Sequence, residues 1–523
     1  MSTEPHLDDP SQKATFREWV ACLGAILGAF VAILDVSITN SSLQNIQGTL
    51  GASSSEGSWI STAYLVTEII VIPLTAFLAH VFSTRSYLLG NIILFLLFSA
   101  LCGTAKSLGA MIAFRAMQGF VGGALIPTAM TIVMGKLHGS QRSIGLALFG
   151  LATTFAPAIG PSLGGWLTTQ YGWPFIFYIN FLPGIVLIIT VVKGLDVEPK
   201  QLKALRTADW PGIAYLAVFL ATLTTVLEEG NQDDWFGSNF ITGLAATCLI
   251  SFGLLVWREL HTKNPIVDFH LLLKRNFLTT CVLGLTLGSM LYGASFLVPF
   301  YLGGVQRYNA LEIGRVMMWS GLPQLLVLPF IPLLVAKVDN KLLVCAGFGM
   351  MALSARQNAA MSHDFAGLQF IPGQIFRALG MPLIVVPLTG IAYDKLAAKD
   401  NAAASGLFNM MRNLGGSVGI GLLKTAVSRR YSFHFGRLAE LATTVNQPTQ
   451  DRLKKLTHAL MSQGLDPHLA QGKALAAFGL TMNRESYVMA FGDSFYLLFV
   501  AMFLSMLLCL TLNRVKGAVV AGH

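Results

Sequence analysis

An all-α polytopic membrane protein is the fold class this sequence predicts, and three observations predict it. Of 523 residues, 54% are hydrophobic and only 12% are charged, with a mean hydropathy of +0.62. No soluble globular class has that balance. The apolar residues gather into about fourteen runs, each near the ~20 residues that cross a bilayer as a helix. Lysine and arginine crowd alternate connecting segments, the charge asymmetry of a multi-pass chain.

Taken in order, residues 1–18 form a polar tail, acidic before Phe16. It lacks the basic start and small-residue cleavage site of a signal peptide, so the first span is expected to be retained. Six spans follow near 19–43, 57–82, 86–105, 108–135, 141–168 and 173–194, an N-terminal bundle over 19–194. A charged cytoplasmic linker, 195–207, falls where a two-bundle transporter would divide. Two more spans, 208–228 and 238–257, occupy 208–257. A second set lies near 276–303, 311–336, 341–360, 367–392, 401–428 and 488–513, a C-terminal bundle over 276–513. Residues 514–523 form a short tail.

The segment 429–487 interrupts the rhythm of short loops and is far more polar than its flanks. It contains helix-like pieces at 433–445, 450–463 and 467–479, the last with Asp466 as cap and Pro467 at the first helical position. Leu453, Leu456, Leu460 and Met461 recur at helical spacing opposite Lys454, Lys455 and His458, an amphipathic pattern. Two readings stand: a solvated cap over the bundle, or a docking surface for an extracytoplasmic partner.

Orientation follows from the basic residues. With the N-terminus inside, the inner segments carry Arg17, Arg85, Lys136, Arg142, Lys193, Lys200, Lys203, Arg206 and Arg258 among others. The short outer loops hold Lys106, Arg307 and Arg356. The positive-inside rule therefore places both termini in the cytoplasm. It also accounts for the net charge of +9, so no nucleic-acid partner is implied. Six cysteines stand singly in apolar runs without metal-ligand spacing and read as small hydrophobes.

Ionisable groups at membrane depth are functional hypotheses by default, because placing them there costs several kcal/mol. Asp35 lies in the first span, in LDVSITN, with Thr39 and Ser42 on its face. Glu68 lies mid-span in YLVTEIIVIP, one turn from Tyr64. Arg115 lies in FRAMQGFVGG, followed on its face by Gln118, Gly119, Gly122 and Gly123. Asp35 and Arg115 sit at similar depth, where an ion pair or a water-bridged relay fits. Burial raises a carboxylate's pKa and a nearby arginine lowers it, so such a group can load and release a proton. Arg377, flanked by Gly373 and Gly380, and Arg412, with Gly415, Gly416 and Gly419, repeat the arginine-beside-glycine arrangement in the second half.

The run APAIGPSLGG, 156–165, aligns Ala156, Gly160 and Gly164 in one stripe without bulky side chains and Pro157 and Pro161 in another. Each proline removes one backbone hydrogen bond. Such a helix bends and lets a neighbour slide along it, or serves as a tight structural crossing. No nucleophile–histidine–acid set, P-loop, HExxH or dinucleotide fingerprint is present. Enzyme activity and cofactors are therefore not expected, and an ion gradient is the expected energy source.

These stretches resemble the major facilitator superfamily, specifically its fourteen-span drug:proton antiporters of the EmrB type. The resemblance is carried by LDVSITN, RAMQGFVGGALIP, APAIGPSLGG with WPFIFYINFLPG after it, NPIVDFHLLLKRNF (264–277) and AAASGLFNMMRNLGGSVG (402–419). It implies two six-helix bundles plus two additional central helices. It implies proton-coupling roles for Asp35 and Arg115, with Glu68 beside them, and a conformational role for Pro157, Gly160, Pro161, Gly164 and Gly165 at the contact between the halves. One departure is AFLAHVFSTRS, where Ala76, His80 and Ser83 replace two glycines and an acid and Arg85 survives.

The expected function is export of hydrophobic or amphipathic drugs across a bacterial inner membrane by alternating access. Candidates for the substrate cavity are Thr39, Tyr64, Gln118, Arg377, Asn409 and Arg412. The resemblance also implies a periplasmic adaptor and an outer-membrane channel as partners, besides protons and membrane lipid. Alternatives are an exporter of fatty acids, bile-salt-like anions or a siderophore, and, from another class, a membrane sensor that binds without transporting.

Overall fold

The computed structural model describes residues 14–206, 208–262, 267–362, 364–393, 401–442 and 446–513, and among them there is no strand. The N-terminal half contains α1 (Phe16–Leu50), α2 (Ser54–Phe82), α3 (Thr84–Gly103), α4 (Leu108–Lys136), α5 (Gly139–Tyr171) and α6 (Phe175–Gly194). The helix of α4 is interrupted at 123–124 and that of α6 at 179–180. Next come α7 (Trp210–Glu229) and α8 (Asn239–His261). The C-terminal half contains α9 (Arg275–Gly304), α10 (310–337, in short pieces), α11 (Asn340–Ala359), α12 (Gly367–Tyr393) and α13 (Asn401–Leu441). It closes with α14 (Gln447–Met461) and α15 (Pro467–Cys509). The terminal tails before residue 14 and after 513, and residues 264–266 of the NPIVDFHLLLKRNF stretch, lie outside the described residues.

Local signals set these boundaries. Thr15 with Glu18, Ser53 with Glu56, and Asn309 with Glu312 form capping boxes that start α1, α2 and α10. Gly51 ends α1 at a φ of 67°, the left-handed stop that glycine adopts freely. Ser83 turns α2 into α3 at a φ of 69°. The resemblance expects glycine at this position, and serine there bears backbone strain.

Among the described residues, ten helices are long and apolar enough to cross a bilayer, and α5, bent by 44° between Ile144–Pro157 and Ile159–Tyr171, makes an eleventh. The remaining three crossings are α10, α11 and α13. Pro323, Pro329 and Pro332 break α10, Lys341, Arg356 and Asn358 dilute α11, and Asn409, Arg412 and Asn413 dilute α13. With these three counted, the helix order accommodates the fourteen crossings expected from the sequence. Leu97, Leu182, Leu249, Ile250 and Leu504 stand exposed on the outer faces, as lipid-facing side chains do.

The helix-like pieces expected in the 429–487 segment are helical over 433–441, 447–461 and 467–479, while 443–445 lie outside the described residues. Residues 433–441 continue α13 and 467–479 begin α15, while α14 alone is independent. Helices of 41 and 43 residues reach roughly 60 Å, about twice the hydrocarbon core. Their projecting ends form a clamped pair. Arg430 and His434 of α13 reach Asp493 of α15 at 2.5 and 2.8 Å, and Tyr431 stacks on Tyr487 at 4.2 Å.

Each half has its own apolar core. In the first, α1 packs on α5 and α6; in the second, α9 packs on α13 in the corresponding way. A third cluster, with Leu74 of α2, Leu216 and Leu220 of α7, and Leu407 of α13, joins the extra pair to both halves. Asp209 and Arg258, 2.9 Å apart, tie the start of α7 to the end of α8.

Candidate functional site: a buried carboxylate–guanidinium network

The α4 helix starts at the Ser107 cap, and Arg115 follows eight residues later, about 12 Å deeper. Its side chain is 1% exposed. The glycines after it let α2 close in. A Cβ on Gly119 would lie 2.8 Å from the Tyr64 Cα, and one on Gly123 would lie 2.8 Å from the Glu68 carbonyl oxygen. That approach sets the buried Tyr64 ring 4.2 Å from the Arg115 guanidinium, a cation–π contact strengthened by the absence of water.

Asp35, also 1% exposed, meets this cation directly. Arg115 Nη1 donates to Asp35 Oδ2 at 2.5 Å and to Gln118 Oε1 at 2.7 Å. Asp35 Oδ1 accepts from Gln118 Nε2 at 3.1 Å and from Asn180 Nδ2 at 2.6 Å. Arg115 Nε donates to the Ile60 carbonyl at 3.4 Å. Ser99 of α3 accepts from Asn180 at 2.9 Å and from Gln118 at 3.3 Å, and donates to the Phe177 carbonyl. Taking two charges out of water costs several kcal/mol each, offset only when the remaining lone pairs and protons find partners. Here Asp35 has three nitrogen donors, so both its oxygens are engaged.

Sequence reading had named Asp35, Arg115, Gln118 and Tyr64. It had missed Ser99 and Asn180. Asn180 sits at the interruption of α6 and was visible as the one amide in WPFIFYINFLPG; Ser99 left no sequence signal. Thr39 turns its hydroxyl to the Asp35 carbonyl at 2.7 Å. Glu68 is partly buried and acts on Arg115 and Asp35 at longer range. Arg377, Asn409 and Arg412 lie in the other half. Asn409 Nδ2 approaches Met130 Sδ of α4 at 3.5 Å, across the divide.

The 156–165 stretch adjoins the network. Pro161 has no N–H for the Pro157 carbonyl, and Ser37 Oγ donates to that carbonyl instead, at 3.3 Å. A Cβ on Gly160 would lie 2.5 Å from Ser37 Cβ, and one on Gly164 would lie 2.9 Å from the Ile38 carbonyl oxygen. The glycine stripe therefore presses on α1, one turn from Asp35, within the same half. Contact with the other half comes from neighbouring positions. Ser162 backs onto Gly314 of α10, whose added Cβ would stand 3.0 Å from Ser162 Cα, and Phe155 packs on Gly321. One side of α5 thus touches the acidic helix, and another touches the opposite bundle.

A second buried acidic group went unnoticed in the sequence. Glu228 and Glu229 end α7 and are 4% and 2% exposed. Lys424 of α13 reaches Glu228 Oε2 at 3.1 Å. Glu229 accepts from Thr62 at 2.5 Å and from Ser58 at 2.8 Å, both on α2. The extra helix thereby bridges the two halves.

Comparison with known proteins decides the family. The model of the Major Facilitator Superfamily matches residues 25–420. This chain belongs to the major facilitator superfamily. Within the superfamily it groups with proteins of the EmrB type. The colistin resistance protein EmrB of Acinetobacter baumannii is 31% identical over 95% of this chain and 97% of its own. The multidrug export protein EmrB of Escherichia coli K12 is 34% identical over 84% of this chain and 85% of its own. The fatty acid resistance protein FarB of Neisseria gonorrhoeae is 30% identical over 94% of each. The fold resembles that of the human organic anion transporter MFSD10 (TETRAN), with a TM-score of 0.56 and 14% identity over 93% of this chain and 99% of that one. The chain is a multi-pass membrane protein with the major facilitator fold.

Proposed function

We propose that this protein is a proton-coupled antiporter that exports hydrophobic or amphipathic toxic compounds across a bacterial inner membrane. Its termini lie in the cytoplasm, and it works by alternating access between the two bundles. The observation that carries the reading is the Asp35–Arg115 pair, buried one turn from the glycine stripe of α5. A carboxylate held by a guanidinium releases it on protonation, so the proton and the arginine compete for one group. That competition biases helix packing around α1, α4 and α5, and a proton with different affinity for two states shifts their balance. The drug-export proteins among its relatives support the substrate class.

The projecting ends of α13 and α15, with α14, serve as the contact for a periplasmic adaptor leading to an outer-membrane channel. Pro157, Gly160, Pro161, Gly164 and Gly165 make the sliding surface. The extra pair, α7 and α8, forms a third unit joining the bundles. The test is purified protein in liposomes with an imposed pH gradient. Wild type should drive dye efflux that collapses with the gradient, and gradient-independent efflux would overturn the coupling.

A further inference from the structure

The fourth span of each half carries the same triplet. Phe114–Arg115–Ala116 stands in α4, and Phe376–Arg377–Ala378 stands in α12, followed by Gly119 and Gly380 respectively. The surroundings differ. Arg377 is 3% exposed, and its Nε and Nη1 have no hydrogen-bond partner. Gln374, 1% exposed, leaves both its side-chain oxygen and nitrogen without partners. Gln324 Oε1 and Asn358 Oδ1 are also buried without partners.

Asn358 faces Gly373 of α12 within the C-terminal half, while Gln324 reaches the divide between the bundles. Gln324, Met381 and Val385 line a void of about 10 Å3 against Ala147 and Gly150 of α5, room for about one water. Arg377 and Gln374 stand four and seven residues before Met381, hence on the same face of α12. Arg377 lies ten residues from the outer end of α12, about 15 Å in, near the middle of the bilayer.

Among the described residues, Arg377 has no ion-pair partner. Across α5, α9, α10, α11, α13 and α15, the helices around α12, the acidic residues are Glu312, Glu440, Glu485 and Asp493. Asp493 pairs with Arg430 and His434, and Glu485 lies in the polar 429–487 segment. Glu312 is exposed in the α10 capping box, and Glu440 pairs with Arg437 beyond the membrane. A guanidinium held in a low-dielectric slab with two free donors, beside a free amide, is complementary to a carboxylate or phosphate oxygen.

We infer that Arg377, with Gln374, binds the anionic headgroup of an amphiphile at the divide between the halves. The inference rests on the export reading by making that site selective for anionic over cationic amphiphiles. The free apolar helix faces take the tail. The headgroup source is either a single-chain amphiphile or an anionic phospholipid, both offering the same oxygens.

Equilibrium binding in non-ionic detergent tests this without requiring transport, so its outcome is separate from that of the export reading. The probes are dodecanoate and dodecyltrimethylammonium, equal in chain length and opposite in charge. Arg377→Gln should weaken dodecanoate binding on the order of tenfold or more and leave the cationic probe unchanged. Arg377→Lys should retain part of the affinity. The glutamine variant should melt at or above the wild-type temperature, because an uncompensated buried charge has been removed. Unchanged dodecanoate affinity, or equal loss of both probes with a lower melting temperature, overturns the site and makes Arg377 a packing residue. Reconstitution in phosphatidylcholine with and without phosphatidylglycerol identifies the source. Phosphatidylglycerol that stabilises wild type but not Arg377→Gln, and competes with dodecanoate, assigns the headgroup to lipid. Dodecanoate binding unaffected by phosphatidylglycerol assigns it to the free amphiphile.

Discussion

In the N-terminal half, Arg115 is 1% exposed and is held by Asp35, Gln118, the Ile60 carbonyl and the Tyr64 ring. In the C-terminal half, Arg377 is 3% exposed at the matching place, with two donors idle. The scaffolds are alike: α1 packs on α5 much as α9 packs on α13, both through close glycine contacts. What differs is the chemistry mounted on them. Asp35 supplies one half with a counter-charge that a proton can remove, while α9, the counterpart of α1, contains no acidic residue. On the proposed coupling role of Asp35, a duplicated fold gives proton chemistry to one half and leaves the other with a standing positive charge.

The strongest way to break this comparison is Asp35→Asn. It leaves Arg115 buried without its anion, an expected loss of about 3 kcal/mol in stability. Proton-driven efflux should vanish in liposomes carrying a pH gradient. The double variant Asp35→Asn with Arg115→Gln should regain stability in thermal unfolding yet remain inactive, and efflux by either variant would remove Asp35 from the coupling step.

Next in size is Gly164→Val. The added side chain meets the Ile38 carbonyl oxygen 2.9 Å from its Cβ, so overpacking of about 1–3 kcal/mol is expected. Efflux should fall roughly tenfold from the same barrier converted to a rate. Gly419→Val, which meets Ser289 in the other half, should cost similar stability. Comparing their transport rates tells whether the α1–α5 and α9–α13 crossings move alike.

Asn180→Ala removes one of three donors to Asp35. A charge-assisted hydrogen bond contributes about 1.5–3 kcal/mol, so a smaller loss than that of Asp35→Asn should appear in thermal unfolding, with a changed pH profile of efflux. A profile identical to wild type would reduce Asn180 to packing. Smallest is Glu68→Gln, which has charge influence but no direct contact with the pair. Efflux should change a fewfold, on the order of 1 kcal/mol or less, and differently for different drugs. A panel of susceptibilities without any change would return Glu68 to a structural role.

Much of this was legible in the chain. Fourteen apolar runs predicted fourteen crossings, since a bilayer imposes a length on any helix within it. Asp35 and Arg115 announced themselves as charges in apolar surroundings. Less was legible where partners come from afar. Asn180 meets Asp35 from α6, 145 residues away in the sequence, and Ser99 of α3 meets Asn180 and Gln118 behind it; serine or asparagine in a membrane helix carries no spacing signal of its own. Glu228 and Glu229 stand at the polar edge of the seventh apolar run, and it is Lys424, Thr62 and Ser58 that meet them in the fold. The helix-like pieces at 433–441 and 467–479 run on into the spans as α13 and α15, because a single glycine such as Gly436, Gly472 or Gly479 weakens a helix by only about 1 kcal/mol without stopping it.

The APAIGPSLGG run marks the boundary between the two sources of information. By itself the sequence determined that this helix would be smooth on one side and short of backbone hydrogen bonds, because glycine has no side chain and proline no N–H. It determined the crossings and the two charges at similar depth, because burial cost and helix geometry are local. Only the tertiary structure decided that the smooth side meets α1 while Ser162 and Phe155 meet the other half. It alone decided that Arg115 is compensated and Arg377 is not. Those are questions of which helix lies beside which, and packing at that range is decided by the whole fold.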